Sequence, residues 1–209
     1  MKRRHLEMLL SSLEDIEEAR ADLEQYRTPS KIVCDMLFEA YARDDLEGRT
    51  VMELGCGGAP FAIGASILGA SKVYGIDIDP SSLELAERNI ITAERRSKMS
   101  HDIKLIEADI SDDDTVLPSV YTIFMNPPFG AQKKHADRPF IEKAYASADV
   151  IYSIHNANSV EFLRKLCRSL GADMEVLFKA GMVLPRRYWF HRREKWTIEV
   201  VIVRYKESS

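Results

Sequence analysis

Apolar and polar positions recur along this chain with two periods, and the switches between them mark its elements. Over residues 3–23, Leu6, Leu9, Leu10, Leu13, Ile16 and Leu23 fall near one face of a 3.6-residue repeat, which predicts an amphipathic helix. Thr28-Pro29 reads as an N-cap followed by proline at the first helical position. Ile32, Val33, Met36, Leu37 and Tyr41 then supply the apolar face of a second helix, which Gly48 is expected to end. From there short apolar runs alternate with helical stretches. Strands are expected at 50–54, 72–76, 103–106, 121–125 and 150–154, and helices at 61–68, 79–95 and 159–170, the second of these capped by Asp79-Pro80. The end of the chain differs, with strands at 174–178 and 197–205 and no helix between them.

Alternating strands and helices imply a doubly wound α/β fold, a mostly parallel, seven-stranded Rossmann-like sheet covered on both faces. The closing pair, joined without a helix, implies an antiparallel last strand. A length of 209 residues suits one well-cored domain. Residues 1–209 are therefore read as a single unit, with helices in 1–48 packing on the ligand end of a core at 49–209.

Composition narrows the class. No stretch approaches the roughly 20 apolar residues of a membrane helix, and acidic residues follow the basic start too soon for a secretory signal. Cys34, Cys56 and Cys167 are odd in number and lack metal-type spacing, so neither disulfides nor a metal site is expected. The expectation is a cytoplasmic, reduced protein. The net charge of −4 does not point to nucleic acid, but its distribution does more. From Val183 onward seven Lys/Arg stand against three Glu, a local net of +4 that leaves −8 on the rest of the chain. A basic end on an acidic body is able to hold a phosphate backbone locally.

The first strand runs into Glu53-Leu54-Gly55-Cys56-Gly57-Gly58. Glycines there let the chain turn sharply and approach a ligand closely, although dinucleotide oxidoreductases use a similar loop. Asp77, 22 residues beyond Gly55, ends the second strand, where a carboxylate accepts from ribose hydroxyls. Asp109 follows the third strand, placed for the amino edge of an adenine. Acidic groups suit a cationic sulfonium cofactor and would repel a pyrophosphate. That favours S-adenosylmethionine over NAD.

Asn126-Pro127-Pro128-Phe129 follows the fourth strand and is the most specific signal in the chain. An exocyclic amine on adenine is a poor nucleophile, because its lone pair is delocalised into the ring. Two fixed acceptors, the Asn126 side-chain oxygen and the Pro127 carbonyl, favour a tetrahedral nitrogen. The prolines stiffen the loop, and Phe129 offers a ring face for stacking. The same chemistry fits a glutamine side-chain amide.

On these residues the chain resembles the class I adenine-N6 methyltransferases of small-subunit ribosomal RNA found in eukaryotes and archaea. The likeness runs through Leu23-Glu24-Gln25-Tyr26 with Thr28, the 53–57 loop, Gly75-Ile76-Asp77-Ile78-Asp79, 126–130, and Phe190-His191-Arg192-Arg193 before Ile198-Glu199-Val200. The resemblance implies that Gln25, Thr28, Gly55, Gly58, Pro60, Asp77 and Asp109 contact the cofactor, with Glu53 and Gly57 in the same loop. It also implies that Asn126, Pro127 and Phe129 hold the base. Two residues depart from the family pattern: Ala59 stands for a third glycine, and Arg27 for a proline.

For RNA contacts the candidates are Lys2-Arg3-Arg4, Lys133-Lys134-His135 with Arg138 in a polar loop, and Arg186-Arg187 with His191, Arg192-Arg193 and Lys195. The last interleaves Tyr188, Trp189, Phe190 and Trp196, a mix suited to stacking and phosphate contact. The family likeness further implies a small zinc-ribbon activator protein, docked on an edge strand at 103–106. The competing readings are glutamine methylation of a release factor, DNA adenine methylation, a non-catalytic RNA-binding or assembly protein, and an NAD-linked oxidoreductase. Phe129 in place of tyrosine, and only about 45 residues before the first strand, speak against the first.

Overall fold

A computed structural model of the protein describes residues 1–16, 20, 23–129, 136–185 and 195–207, apart from the side chains of 184, 185, 195, 196 and 207. Seven strands form one sheet: β1 (Thr50–Leu54), β2 (Lys72–Asp77), β3 (Ile103–Glu107), β4 (Val120–Met125), β5 (Ala148–Asn156), β6 (Ala172–Pro185) and β7 (Lys195–Glu207). Their order is β3-β2-β1-β4-β5-β7-β6, parallel from β3 to β5. β7 lies antiparallel between β5 and β6, as the closing strand pair implied.

Strand periodicity sorts the core into two layers. Val51, Phe124, Val150, Tyr152 and Ile202 point to one face, where α1 (Arg3–Ser11), α2 (Ser30–Ala42), α3 (Pro60–Ile67) and α4 (Pro80–Ser97) pack. Met52, Leu54, Ile123, Met125, Ile151 and Val203 point to the other, covered by α5 (Arg138–Ser147) and α6 (Val160–Ser169). Phe61, Phe124 and Tyr152 stack in series at centroid spacings of 5.3 Å, and buried Asp45, 2.9 Å from the partly buried Arg204, meets the Tyr152 hydroxyl at the end of that stack.

Four local expectations change. The helix expected over 3–23 ends at Ser11. Ser11 and Ser12 turn their hydroxyls back onto the Glu7 and Leu9 carbonyls, and Arg27 caps the Leu10 and Leu13 carbonyls. Arg27, the departure from the family's proline, thus does a job proline has no donor for.

The second helix starts at Ser30, one residue after Pro29, so Thr28 does not cap it. The same helix stops at Ala42, and Asp44 with φ +59° turns the chain well before Gly48. Helix α5 occupies residues read as loop, including Arg138. It buries only Ile141, Ala144 and Ser147, too narrow a stripe to register as a periodic pattern.

Candidate active site

The order β3-β2-β1-β4-β5 places the topological switch point between β1 and β4, and a cavity of about 450 Å³ opens at the carboxyl ends of these strands. Gly55 and Gly57 turn the loop after β1 with φ of +64° and +50°. A Cβ on Gly55 would stand 3.3 Å from the Phe140 ring. Ala59 ends the loop at φ +60°, a left-handed geometry that costs an alanine about 1–2 kcal/mol. The alanine that stands for the third glycine thus holds a backbone conformation that favours glycine.

Ala59 precedes α3 and has no side chain to cap it. Glu53 does so from β1: its buried carboxyl group accepts from the backbone N–H of Ala62 at 2.7 Å and from that of Phe61. Burial pushes this carboxyl up to about 8. Glu53 lines a smaller recess of about 60 Å³ under the loop, together with Thr28, Gly58 and Pro60. Gly55, Gly57 and Asn126 border both spaces.

Asp77 accepts from Gly57 N–H at 2.7 Å on one oxygen and from Asp79 N–H at 3.0 Å on the other. The Ile78 N–H donates to it as well, and the carboxylate, with about four acceptor sites, keeps capacity for a ligand hydroxyl. Burial raises its pKa against these donations. Asp79 is also pushed up by burial, but hydrogen bonds from Gln25, Ser81 and Ser82 hold it below its usual range. Gln25 lines the larger cavity while its amide nitrogen donates to Asp79 at 2.7 Å and to Ser82 at 3.2 Å. Asp109 lines it too, with one oxygen accepting from the Ser111 N–H and hydroxyl. Between the acids lie Ile78, exposed for an Ile, and buried Ile110, an apolar setting for a flat ring.

Asn126 follows β4 directly. Its Nδ2 donates to the Thr28 hydroxyl at 2.9 Å. Its Oδ1 is buried and has no hydrogen-bond partner among the described residues. An acceptor shielded from water and left unpaired is costly in a fold that serves itself alone. Buried unpaired acceptors belong where a ligand donates. Phe129 stacks on Tyr26 with ring centroids 5.4 Å apart, and its backbone N–H donates to Glu24 at 2.9 Å.

Comparison with known proteins fits this geometry. An uncharacterized protein of Methanocaldococcus jannaschii is 39% identical, over 99% of this chain and 95% of its own. The rRNA N(6)-adenosine-methyltransferase METTL5 of Danio rerio is 30% identical, over 98% of this chain and 99% of its own. This chain belongs to the METTL5 family. A crystal structure of a proposed RNA methyltransferase from Pyrococcus horikoshii superposes with a TM-score of 0.85 at 31% identity, covering 99% of this chain and 97% of that one. The family model of ribosomal protein L11 methyltransferase (PrmA) matches residues 32–117. That match spans the three acidic strand ends and stops before Asn126, so it concerns the cofactor half and not the acceptor half.

Of the residues singled out from sequence, Gln25, Gly55, Gly57, Asp77, Asp109, Asn126 and Pro128 border the larger cavity. Thr28, Glu53, Gly58 and Pro60 border the smaller one. Pro127 and Phe129 border neither. The basic candidates Lys133, Lys134, Arg186, Arg187, His191, Arg192 and Arg193 lie outside the described residues. Among the described residues no group of His, Cys, Asp or Glu is arranged to hold a metal, and no helix is long and apolar enough to cross a membrane. The three cysteines are buried and free.

Two further residues of this METTL5 relative escape sequence reasoning. Asn89 of α4, buried, grips the backbone of Glu14 from both sides and donates to the Gly58 carbonyl at 3.0 Å. It holds the segment after α1 against the loop, where Ile16 reaches the cavity. The one available signal was an asparagine on the buried stripe of an amphipathic helix. Phe140 lines the cavity from α5, the helix that sequence periodicity did not reveal.

Proposed function

We propose that this protein transfers a methyl group from S-adenosylmethionine to the N6 amino group of an adenine in RNA, with small-subunit ribosomal RNA as the substrate. The observation that carries the reading is the unpaired, buried Oδ1 of Asn126 at the end of β4, beside an acid-lined cavity of cofactor size. The cofactor, when bound, supplies a methyl group made electrophilic by its sulfonium.

The chain's own residues fit that group. Asp77 offers lone pairs to ribose hydroxyls, Ile78 and Ile110 flank a purine ring, Asp109 meets its amino edge, and the glycines leave room for the backbone to approach. In this reading Glu53 supports the site from beneath, as the cap of α3. Gln25 acts through Asp79. Asn126 Oδ1 and the Pro127 carbonyl accept the two N6–H bonds, which localises the nitrogen lone pair for attack. Transfer in line needs about 3–3.5 Å between the reacting atoms. The proton leaves to water afterwards, so no strong base is required.

A target adenine must be unpaired or flipped to enter. Lys133, Lys134, Arg186, Arg187, His191, Arg192 and Arg193 hold the RNA around it, in the segments after Phe129 and between β6 and β7. Residues 1–209 act as one methyltransferase unit, in the cytoplasm. Strand β3 stands at the sheet edge with partly exposed residues, which supports docking of a small zinc-ribbon activator there. Co-expression that yields no stable pair would remove the partner from this reading.

A glutamine amide presents the same donors to Asn126, so substrate class is tested directly. Incubation with methyl-labelled cofactor, RNA lacking the modification and a release factor is expected to place the label in RNA. Label in the release factor alone would overturn the assignment.

A further inference from the structure

We infer that Thr28 is a positioning residue for the methyl acceptor: its hydroxyl fixes the side-chain amide of Asn126 so that Oδ1, and not the NH2 group, is the unpaired end. The inference rests on the adenine-N6 reading and goes beyond it. A cofactor contact alone would not require Thr28 to touch Asn126.

The geometry carries it. Thr28 lies between Pro29, the N-cap residue of α2, and Tyr26, which stacks on Phe129, and its side chain is buried. Its hydroxyl is freed from helix capping, because α2 begins at Ser30. The Oγ1 instead accepts the Asn126 Nδ2–H at 2.9 Å, across 98 residues of sequence.

The two amide orientations are not equivalent. As found, the carboxamide leaves one buried acceptor unpaired. Flipped, it would keep a bond to Thr28, whose O–H would donate to Oδ1, but would leave the buried NH2 as the unpaired end. Buried unpaired N–H donors are rarer in folded proteins than under-satisfied C=O groups. A flipped amide would also present donors to an amine that is itself a donor, and the amine would have no acceptor. Glu24 completes the support by taking the Phe129 N–H at 2.9 Å, so the segment just before α2 fixes both ends of the Asn-Pro-Pro-Phe turn. The Thr28 hydroxyl therefore takes the NH2 end, the costlier one to leave unpaired, and leaves Oδ1 to meet the amine.

Thr28→Val keeps the shape and removes the oxygen, and Thr28→Ser keeps the oxygen. Three quantities separate the possibilities: the single-turnover rate on RNA, the Kd for S-adenosylhomocysteine by calorimetry, and the side-chain amide signals of Asn126 in protein labelled with 15N-asparagine, assigned through Asn126→Ser. Thr28→Val is expected to lose about 10- to 100-fold in rate. Its Kd should rise by much less than the rate falls, and the protected Asn126 NH2 pair should become exchange-broadened. Thr28→Ser should restore rate and signals to within about threefold. A Kd that rises in step with the loss of rate would make Thr28 a cofactor contact only. A full rate in Thr28→Val, or Asn126 signals unchanged in it, would overturn the inference outright. If the wild-type protein labels no adenine while its Asn126 signals respond to Thr28→Val as described, the function fails and the amide lock stands.

Discussion

The backbone N–H of Phe129 donates to the carboxylate of Glu24 at 2.9 Å, joining two residues 105 positions apart. Glu24 is buried and sits at φ +50°, a backbone state that non-glycine residues adopt only when their surroundings impose it. Glu24→Ala would leave the Phe129 N–H unpaired, at a cost of about 1–3 kcal/mol. The loosened turn should also lower the transfer rate about tenfold or more. Glu24→Gln keeps an acceptor and should stay near wild type in both. Thermal unfolding and single-turnover kinetics check this, and an alanine variant equal to wild type in both would remove Glu24 from the catalytic turn.

Asp77 predicts a cofactor effect without a change in fold. Asp77→Asn keeps the size but loses the charge and places an NH2 against Gly57 or Asp79 N–H. Kd for S-adenosylmethionine should rise about 10- to 100-fold, the worth of a hydrogen bond to a charged group. Calorimetry reads this directly. An unchanged Kd would mean that Asp77 serves the loop alone.

How much of this was legible in the sequence depends on what each residue depends on. The glycine loop, Asp77 and Asn126-Pro127-Pro128-Phe129 are legible because their residue types answer a local need at a strand end. Asp79 is legible as a cap, and its carboxylate does accept from Ser81 N–H. Thr28 and Asn126, Glu24 and Phe129, and Asn89 and Glu14 are different. Each is a pair brought together only by the winding of the sheet, and neither partner advertises the other. Glu53 shows the same limit: its place before the glycines drew attention, but its cap on α3 follows from Ala59 having no side chain to offer. The early end of α1 has the same origin, since Arg27 reaches back to it from beyond the segment.

Two buried groups give opposite pH dependences. His155 hydrogen-bonds Ser153 and Tyr205, and burial pushes its imidazole down to about 3 from 6.5. It stays neutral when folded, so its contribution is whole above pH 6.5 and is lost as pH falls toward 3. Glu53 is raised from 4.5 to about 8. Its contribution is whole below pH 4.5 and is lost as pH rises to about 8. Each slope is at most about 1.4 kcal/mol per pH unit. Urea unfolding at pH 5 and pH 8 should therefore show Glu53→Gln gaining on wild type as pH rises. A constant difference between the two proteins would contradict a buried, proton-holding Glu53.

Charge reversal at Arg192 and Arg193 should weaken RNA binding and flatten its salt dependence. Removing two phosphate contacts on single-stranded RNA lowers the slope of log K against log salt by about 1.4. Binding measured across a salt series checks this. An unchanged affinity and slope would place the RNA elsewhere.

The central claim is that Asn126 presents an acceptor to the N6 amine of adenine in RNA. The most direct measurement incubates wild-type and Asn126→Ala protein with methyl-labelled S-adenosylmethionine and unmodified ribosomal RNA, then identifies labelled nucleosides by mass spectrometry. Label in N6-methyladenosine is expected from the wild type. In the variant it should fall by about 100-fold or more, with cofactor affinity within about threefold. Equal labelling by both proteins, or label in any other nucleoside, would contradict the claim.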